Sequence, residues 1–475
     1  HVRAAQKWTE FISAHSKDER IERAHFYLGI CQLRSEKFPQ AAETFKKVLN
    51  TWPKFAQADV AQYNLALARY EQAIASNSED QFRQAAGEFS TVAAKFPKSD
   101  QADDALYFQG DCLFRSGDVA AALPAYQKLI DQYPNSGQLA RAYYDLGIGQ
   151  QELEKPAEAI KTFQAFLAKS EFATDELTPE IRLRFAICLH QLDQFDKAAV
   201  EFDAASKIPE FPLASFARFR LGQTKIEQGK LAEAAQVLAE ISKTYPDSEY
   251  RFEAQKLAGR CFYLTEKYKE AEQTLRDIAK ANEPAAAEAA YWLGKTQSKL
   301  NQPEKALQTL QQAINRYGTS DFLAHLKLLR IDMLYELPQR RVETLPLYEA
   351  FLQEFPAHEL AFQARYMAAL SALGQSEFGK ARNYAQALLS DSGSFDLLRP
   401  GAMYIVAESF LLEDSENADD RAKALSLYRE LISKYPDHGR AARSNLRIGW
   451  CLHRDKKYDE AIRHLAALRD KFDRE

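Results

Sequence analysis

Apolar residues along this chain fall into pairs of helical stripes separated by short polar breaks. From Ala102 to Arg115, the residues Ala105, Leu106, Phe108, Cys112 and Leu113 share one helical face, which predicts a first helix. Gly117-Asp118 interrupts it, and Ala121 through Ile130 supplies a second amphipathic run ending at Tyr133-Pro134-Asn135-Ser136. Proline disfavours helical geometry in the residue before it, so the aromatic-proline pair stops the second helix and turns the chain. The serine beyond it is placed to cap the helix that follows. Phe96-Pro97-Lys98-Ser99 and Tyr245-Pro246-Asp247-Ser248 repeat the device.

This two-helix unit recurs about every 34 to 44 residues with a fixed internal spacing. A glycine is followed twelve positions later by an alanine, four further by a large apolar residue, and then often by an aromatic-proline pair. The series reads Gly29, Ala41, Phe45, Trp52-Pro53, then Gly110, Ala122, Tyr126, Tyr133-Pro134, then Gly222, Ala234, Leu238, Tyr245-Pro246. The same step links Gly147 to Ala159, Gly259 to Ala271, Gly294 to Ala306 and Gly449 to Ala461. Glycine inside a helix costs about 1 kcal/mol relative to alanine, so its recurrence implies close approach of the second helix, with the alanine facing it. Such periodicity marks a solenoid, whose units bury their apolar faces only against their neighbours.

These residues resemble the tetratricopeptide-repeat family over nearly the whole chain. The resemblance implies an all-α solenoid of roughly twelve antiparallel helix pairs wound as a right-handed superhelix. Residues 1–475 are then one continuous array. Residues 1–20, with Trp8, Phe11 and Ile12, form the second helix of a truncated repeat, and 21–475 hold about twelve repeats, with insertions at 76–81 and 413–421. Some units depart from the pattern: Ala186 replaces a glycine, Thr344 replaces an alanine, and Tyr317-Gly318 replaces the aromatic-proline pair. The Tyr-Pro-x-Ser turn and the run Ala290 to Gly294 look most like the bacterial envelope subset, the outer-membrane-assembly lipoprotein D and Tol-Pal coordinator type. That resemblance points to the periplasm or cell envelope, with a cytoplasmic address as the alternative. The missing first helix, and a closing Lys471-Phe472-Asp473 where a turn is due, suggest an excised or processed fragment.

Composition narrows the classes of function. No run approaches the roughly 18 apolar residues of a membrane-spanning helix. With 62 basic against 67 acidic residues, the net charge of -5 supplies no field for nucleic acid. The five cysteines, Cys31, Cys112, Cys188, Cys261 and Cys451, stand two residues after the repeat glycine or its substitute. A position recurring in phase is a packing position, where free cysteine acts as a small hydrophobe. Cys451-x-His453 has no second pair at ligand spacing, and neither a phosphate-cradling loop nor a nucleophile elbow is present. The acidic stretch Glu413, Asp414, Glu416, Asp419, Asp420 lacks the pattern of a calcium loop and reads as a solvated loop. No metal, cofactor or catalytic residue is expected.

One stripe remains for function. Three residues before the repeat glycine, or its substitute, stand Phe26, Tyr63, Tyr107, Tyr144, Phe219, Tyr291, Tyr366 and Tyr404. The resemblance places this position on the concave side, where family members bind partners, so the stripe is a candidate partner-binding surface. The alternative is packing against the neighbouring first helix. Beside it stand the basic residues Arg23, Arg34, Arg115, Arg141, Arg260, Lys295, Lys299 and Arg454, most of them expected to be solvated. The carboxylate clamp of the chaperone-binding members is absent, its asparagine position holding Ile30, Asp111, Ile148, Gln223, Arg260, Lys295 and Trp450. The expected function is that of a non-enzymatic adaptor for protein partners within a larger assembly, with a structural or self-assembling spacer, or the regulatory region of a larger enzyme, as alternatives.

Overall fold

The computed structural model describes residues 1–391 and 397–472, the last four of these as backbone only. Within them there are twenty-five α-helices and no strand, equal in number to one leading helix and twelve pairs. By their contacts they form two compact units, His1–Lys230 and Leu231–Glu475. The first holds α1 (Val2–Ala14), α2 (Ile21–Leu33), α3 (Phe38–Thr51), α4 (Ala58–Ser76), α5 (Glu79–Lys95), α6 (Ala102–Arg115), α7 (Val119–Gln132), α8 (Leu139–Glu152), α9 (Pro156–Leu167), α10 (Thr178–Gln191), α11 (Phe195–Ser206) and α12 (Ala214–Glu227). The second holds α13 (Leu231–Thr244), α14 (Arg251–Leu264), α15 (Tyr268–Ile278), α16 (Ala286–Lys299), α17 (Pro303–Arg316), α18 (Leu323–Glu336), α19 (Thr344–Glu354), α20 (Ala361–Gly374), α21 (Phe378–Ser390), α22 (Arg399–Glu413), α23 (Ala418–Lys434), α24 (Gly439–Arg454) and α25 (Tyr458–Phe472). Lys471-Phe472-Asp473 lies outside the residues whose side chains are described.

The glycines make room for a different residue from the one the spacing suggests. A Cβ added at Gly110 would lie 2.5 Å from Cε1 of Tyr126, and one at Gly29 would lie 2.7 Å from Cε1 of Phe45. Gly147, Gly259, Gly294 and Gly449 meet Phe163, Leu275, Leu310 and Leu465 in the same way. The large apolar residue, not the alanine, fills the glycine's gap. Ala41, Ala122, Ala159, Ala271 and Ala306 are fully buried elsewhere in the contact between paired helices. Beneath these pairs lie the largest closed side chains, among them Phe45, Phe89, Tyr126, Phe163, Tyr348 and Tyr428.

In most pairs the turn between the two helices is built on a left-handed residue, the exceptions being α18 to α19 and α22 to α23. Such a φ occurs at Glu36, Gly117, Glu154, Asp193, Gly229, Glu266, Asn301, Ser376 and Lys456, only two of them glycines. The next amide reaches back five residues, as in Lys155 N to Gln150 O at 2.8 Å and Lys267 N to Phe262 O at 2.9 Å, the closure of a Schellman motif. Between pairs, the serine expected to cap a helix acts one step earlier. Ser136 Oγ accepts from Gln138 N at 3.0 Å, while Gln138 precedes α8 without a side-chain cap. The serine therefore fixes the turn before the helix begins. The tyrosine of that turn donates to the carbonyl of the preceding turn, Tyr133 Oη to Pro97 O at 2.8 Å.

The two insertions lengthen helices. α4 and α5 run to 19 and 17 residues around 76–81, leaving Asn77 at a positive φ between them. At 413–421, Asp419 and Asp420 are not loop residues but lie in the first turn of α23. There the Asn417 side chain accepts from both their amides, and their charge favours the positive helix end.

The five cysteines are free and buried, as a packing position requires. Burial pushes the Cys188, Cys261 and Cys451 thiols up to about 11. Among the described residues no helix is long and apolar enough to cross a membrane.

Candidate protein-binding face

All eight stripe residues lie on the first helix of a pair. Phe26 and Phe219 are buried, at 3 % and 7 % exposure, so neither offers a face to a partner. Phe26 packs on Phe45 and Phe55. Tyr63, Tyr107, Tyr144, Tyr291, Tyr366 and Tyr404 are half-buried. Tyr63 packs edge-on against Phe89, Tyr107 tilts onto Tyr126, and Tyr404 onto Tyr428. Tyr366 fills the space that a side chain at Gly401 would take.

Two of the hydroxyls hold successive first helices together. Tyr107 Oη donates to Asp145 Oδ2 at 3.1 Å, from α6 to α8, and Tyr144 Oη donates to Glu180 Oε1 at 2.6 Å, from α8 to α10. Tyr70, which the stripe omits, does the same from α4 to Asp111 Oδ2 on α6 at 2.7 Å. Its signal is its place four residues after Ala66, which stands for the glycine, two helical turns beyond the stripe. These hydroxyls are engaged internally, so the partly open ring faces are what remains for recognition.

The acids that receive them sit in a protein-lined environment. Burial pushes the Asp145 carboxyl up to about 6, with Asp111 adding to the rise and the Tyr107 hydrogen bond, Arg141 and Arg115 opposing it. Burial also pushes the Tyr144 hydroxyl up to about 12, reinforced by its bond to Glu180. Several cations on this face are matched: Arg115 reaches Asp111 at 2.9 Å, Arg184 reaches Glu180 at 2.8 Å, and Arg447 reaches Glu408 at 2.6 Å.

In the second unit the face changes character. Tyr291 stands among Trp292, Phe322 and His325, and the Lys295 ammonium lies 5.4 Å from its ring centroid. An open groove of about 630 Å³ lies alongside, lined by Glu253, Lys256, Glu288, Arg316, Asp321 and Phe322. Three of its charges are paired within the wall, where Lys256 Nζ bonds Glu253 at 2.7 Å and Glu288 at 2.9 Å. Among the described residues no group of three or more His, Cys, Asp or Glu is arranged to hold a metal ion. Cys451 is closed in the core, and His453 packs on Tyr458.

Comparison with known proteins bears on the repeat itself. Two models described as tetratricopeptide repeat match the chain, one over residues 79–137, 144–215 and 416–474 and the other over 23–54, 216–248 and 288–320. Together they account for more than half of it. No curated protein matches the sequence. Among solved structures the chain is similar to one in "Structure of Naa15/Naa10 bound to HypK-THB", at 16% identity and a TM-score of 0.45, covering 94% of this chain and 63% of that one. The present chain thus spans less than two thirds of that protein's length. It is also similar to "Crystal structure of YrrB: a TPR protein with an unusual peptide-binding site", at 20% identity and a TM-score of 0.35, covering 45% of this chain and 99% of that one.

Proposed function

This chain belongs to the tetratricopeptide-repeat family, and we propose that it is a non-enzymatic scaffold that binds protein partners along the face of its first helices. The observation that carries the reading is the lateral bonding of that face. Tyr70, Tyr107 and Tyr144 each tie one first helix to the next, which fixes the ring faces before any partner arrives. A preformed surface loses little side-chain freedom on binding, so modest contacts along it add to useful affinity.

The test uses immobilised chain and its Tyr144→Ala/Tyr291→Ala variant, with retained proteins identified by mass spectrometry and remeasured as purified partners. The expected result is unchanged helical content and partner affinity weakened by about 1 kcal/mol or more per substitution. Equal affinity for both forms removes the aromatic stripe from the proposal. Light scattering over a concentration series separates an adaptor, monomeric until its partner is added, from a self-assembling spacer.

The finer setting we infer is a bacterial cell-envelope complex, with the chain in the periplasm. Its support is the recurrent Tyr-Pro-x-Ser turn and the run Ala290 to Gly294. Fractionation of cells expressing the natural reading frame tests it, and recovery from the cytoplasm refutes it.

A further inference from the structure

One stretch of the face gathers three cations on two neighbouring first helices. Lys295 and Arg260 occupy the same repeat position, directly after Gly294 and Gly259, on the neighbouring first helices α16 and α14. Lys299 follows Lys295 by one helical turn. The half-buried Lys295 ammonium stands 5.4, 5.4 and 5.0 Å from the ring centroids of Tyr263, Tyr291 and Trp292. The exposed Arg260 guanidinium lies 5.6 Å from the Trp292 ring. Among the described residues none of these three cations has a carboxylate at ion-pair distance, whereas Lys256, four residues before Arg260, holds two.

Ring faces attract a cation but accept its hydrogen bonds poorly, so the ammonium keeps donors to give. Burial pushes Lys295 below the usual lysine range, and Lys299 adds to the fall, with no acid opposing it. The nearby acids are already committed: Glu288 holds Lys256 and accepts from Trp292 Nε1 at 3.2 Å. At the equivalent position in other repeats stand Ile30, Asp111, Ile148, Gln223 and Trp450, so the cationic pair is confined to α14 and α16.

We propose that Arg260, Lys295 and Lys299, walled by Tyr263, Tyr291 and Trp292, form the docking site for an acidic peptide segment whose side-chain carboxylates meet the cations while an adjacent apolar residue lies on the rings. The assignment rests on the scaffold reading above and names the chemistry of its partner. Charge complementarity selects the occupant, because the carboxylates of α14 and α16, Glu253 and Glu288, are already held by Lys256 while the three cations have no carboxylate of their own. A carboxylate is a better match than an apolar segment, which would strip water from Lys295 without replacing its hydrogen bonds.

The test is fluorescence anisotropy with a fluorescein-labelled peptide of alternating glutamate and leucine, amidated at its C-terminus so that only side chains carry charge, against its glutamine isostere. The expected result is binding that requires glutamate, weakens with salt, and falls about fivefold in each of Lys295→Gln and Arg260→Gln. Lys54→Gln and Lys98→Gln, exposed cations of the first unit with the same charge change, are expected to leave it unaltered. Equal losses from all four variants mean attraction to net charge alone and overturn the site. Equal binding of the glutamine isostere, abolished by Tyr291→Ala, overturns the acidic class while the scaffold reading stands. No glutamate-dependent binding at millimolar peptide overturns the site as well, leaving the scaffold to be judged on its own captured partners.

Discussion

Replacing Gly110 with alanine isolates the contact on which the helix pair is built. The new Cβ would meet Cε1, Cζ and Cδ1 of Tyr126 at 2.5, 2.7 and 2.8 Å. Carbon atoms rest at about 3.5 to 4 Å, so the ring must retreat by about 1 Å. Tyr126 is 1 % exposed and has Tyr107 against it, which leaves it little room. Overpacking of this kind costs about 1 to 3 kcal/mol, while alanine regains about 1 kcal/mol of helix propensity. Gly87, exposed in the middle of α5 with nothing within 4 Å of its added Cβ, receives the propensity gain alone. The two substitutions are chemically identical, so their difference in stability reports the collision, about 1 to 3 kcal/mol. Urea unfolding followed by circular dichroism measures both, and native-state hydrogen exchange should localise the loss to α6 and α7, because repeat units depend mainly on their neighbours. Tyr126→Leu, alone and combined with Gly110→Ala, completes a cycle whose coupling energy is non-zero if the ring is the obstacle. If Gly110→Ala stabilises the chain as much as Gly87→Ala does, the account of the glycine position is refuted.

Three further outcomes are expected. Burial pushes the Asp332 carboxyl up to about 6, against opposing hydrogen bonds from Tyr348 and Gln363. A folded value above the unfolded one means that the native state binds more protons, so this group's stabilising contribution is present near pH 4 and lost as pH rises through about 6. Asp332→Asn should flatten that part of the stability profile, and an unchanged slope between pH 4 and 7 refutes the assignment. Glu154 holds a φ of 56° at the end of α8, so Glu154→Gly should stabilise by about 0.5 to 1 kcal/mol in urea melts, and a loss would show that the left-handed turn carries no strain. Glu408 is 4 % exposed and accepts from Tyr428 Oη at 2.6 Å and from both Nε and Nη2 of Arg447. Arg447→Ala leaves that carboxylate without its cation and should cost about 3 kcal/mol or more, with exchange rising in α22 to α24, whereas a neutral effect would mean that solvent replaces the arginine freely.

The stripe was legible as a position and not as a set of contacts. Spacing from the glycine places Tyr107 and Tyr144 on first helices, yet their partners Asp145 and Glu180 lie 38 and 36 residues away on the next first helix. Helical periodicity cannot connect positions that far apart, and insertions make the separation vary, as with the 41 residues from Tyr70 to Asp111. Phe26 and Phe219 share the stripe's register but are closed in by neighbours, so register alone does not measure exposure. Lys295 stood out in the sequence only as one base among several; the absence of an acid beside it is a property of three adjacent helices.

The sequence by itself determined the helices, their pairing into repeats and the burial of the cysteines, because each follows from local periodicity and from punctuation by glycine and proline. The expected alanine partner of the glycines shows where that reasoning stops. Which side chain enters the gap depends on how the two helices are rotated against each other, and that rotation is set by the combined packing of both. Only the tertiary structure decided that Tyr126 and Phe163 take the space, that tyrosine hydroxyls join one first helix to the next, and that Lys295 and Arg260 gather around Trp292. Each of these depends on the distance between residues that the chain itself keeps far apart.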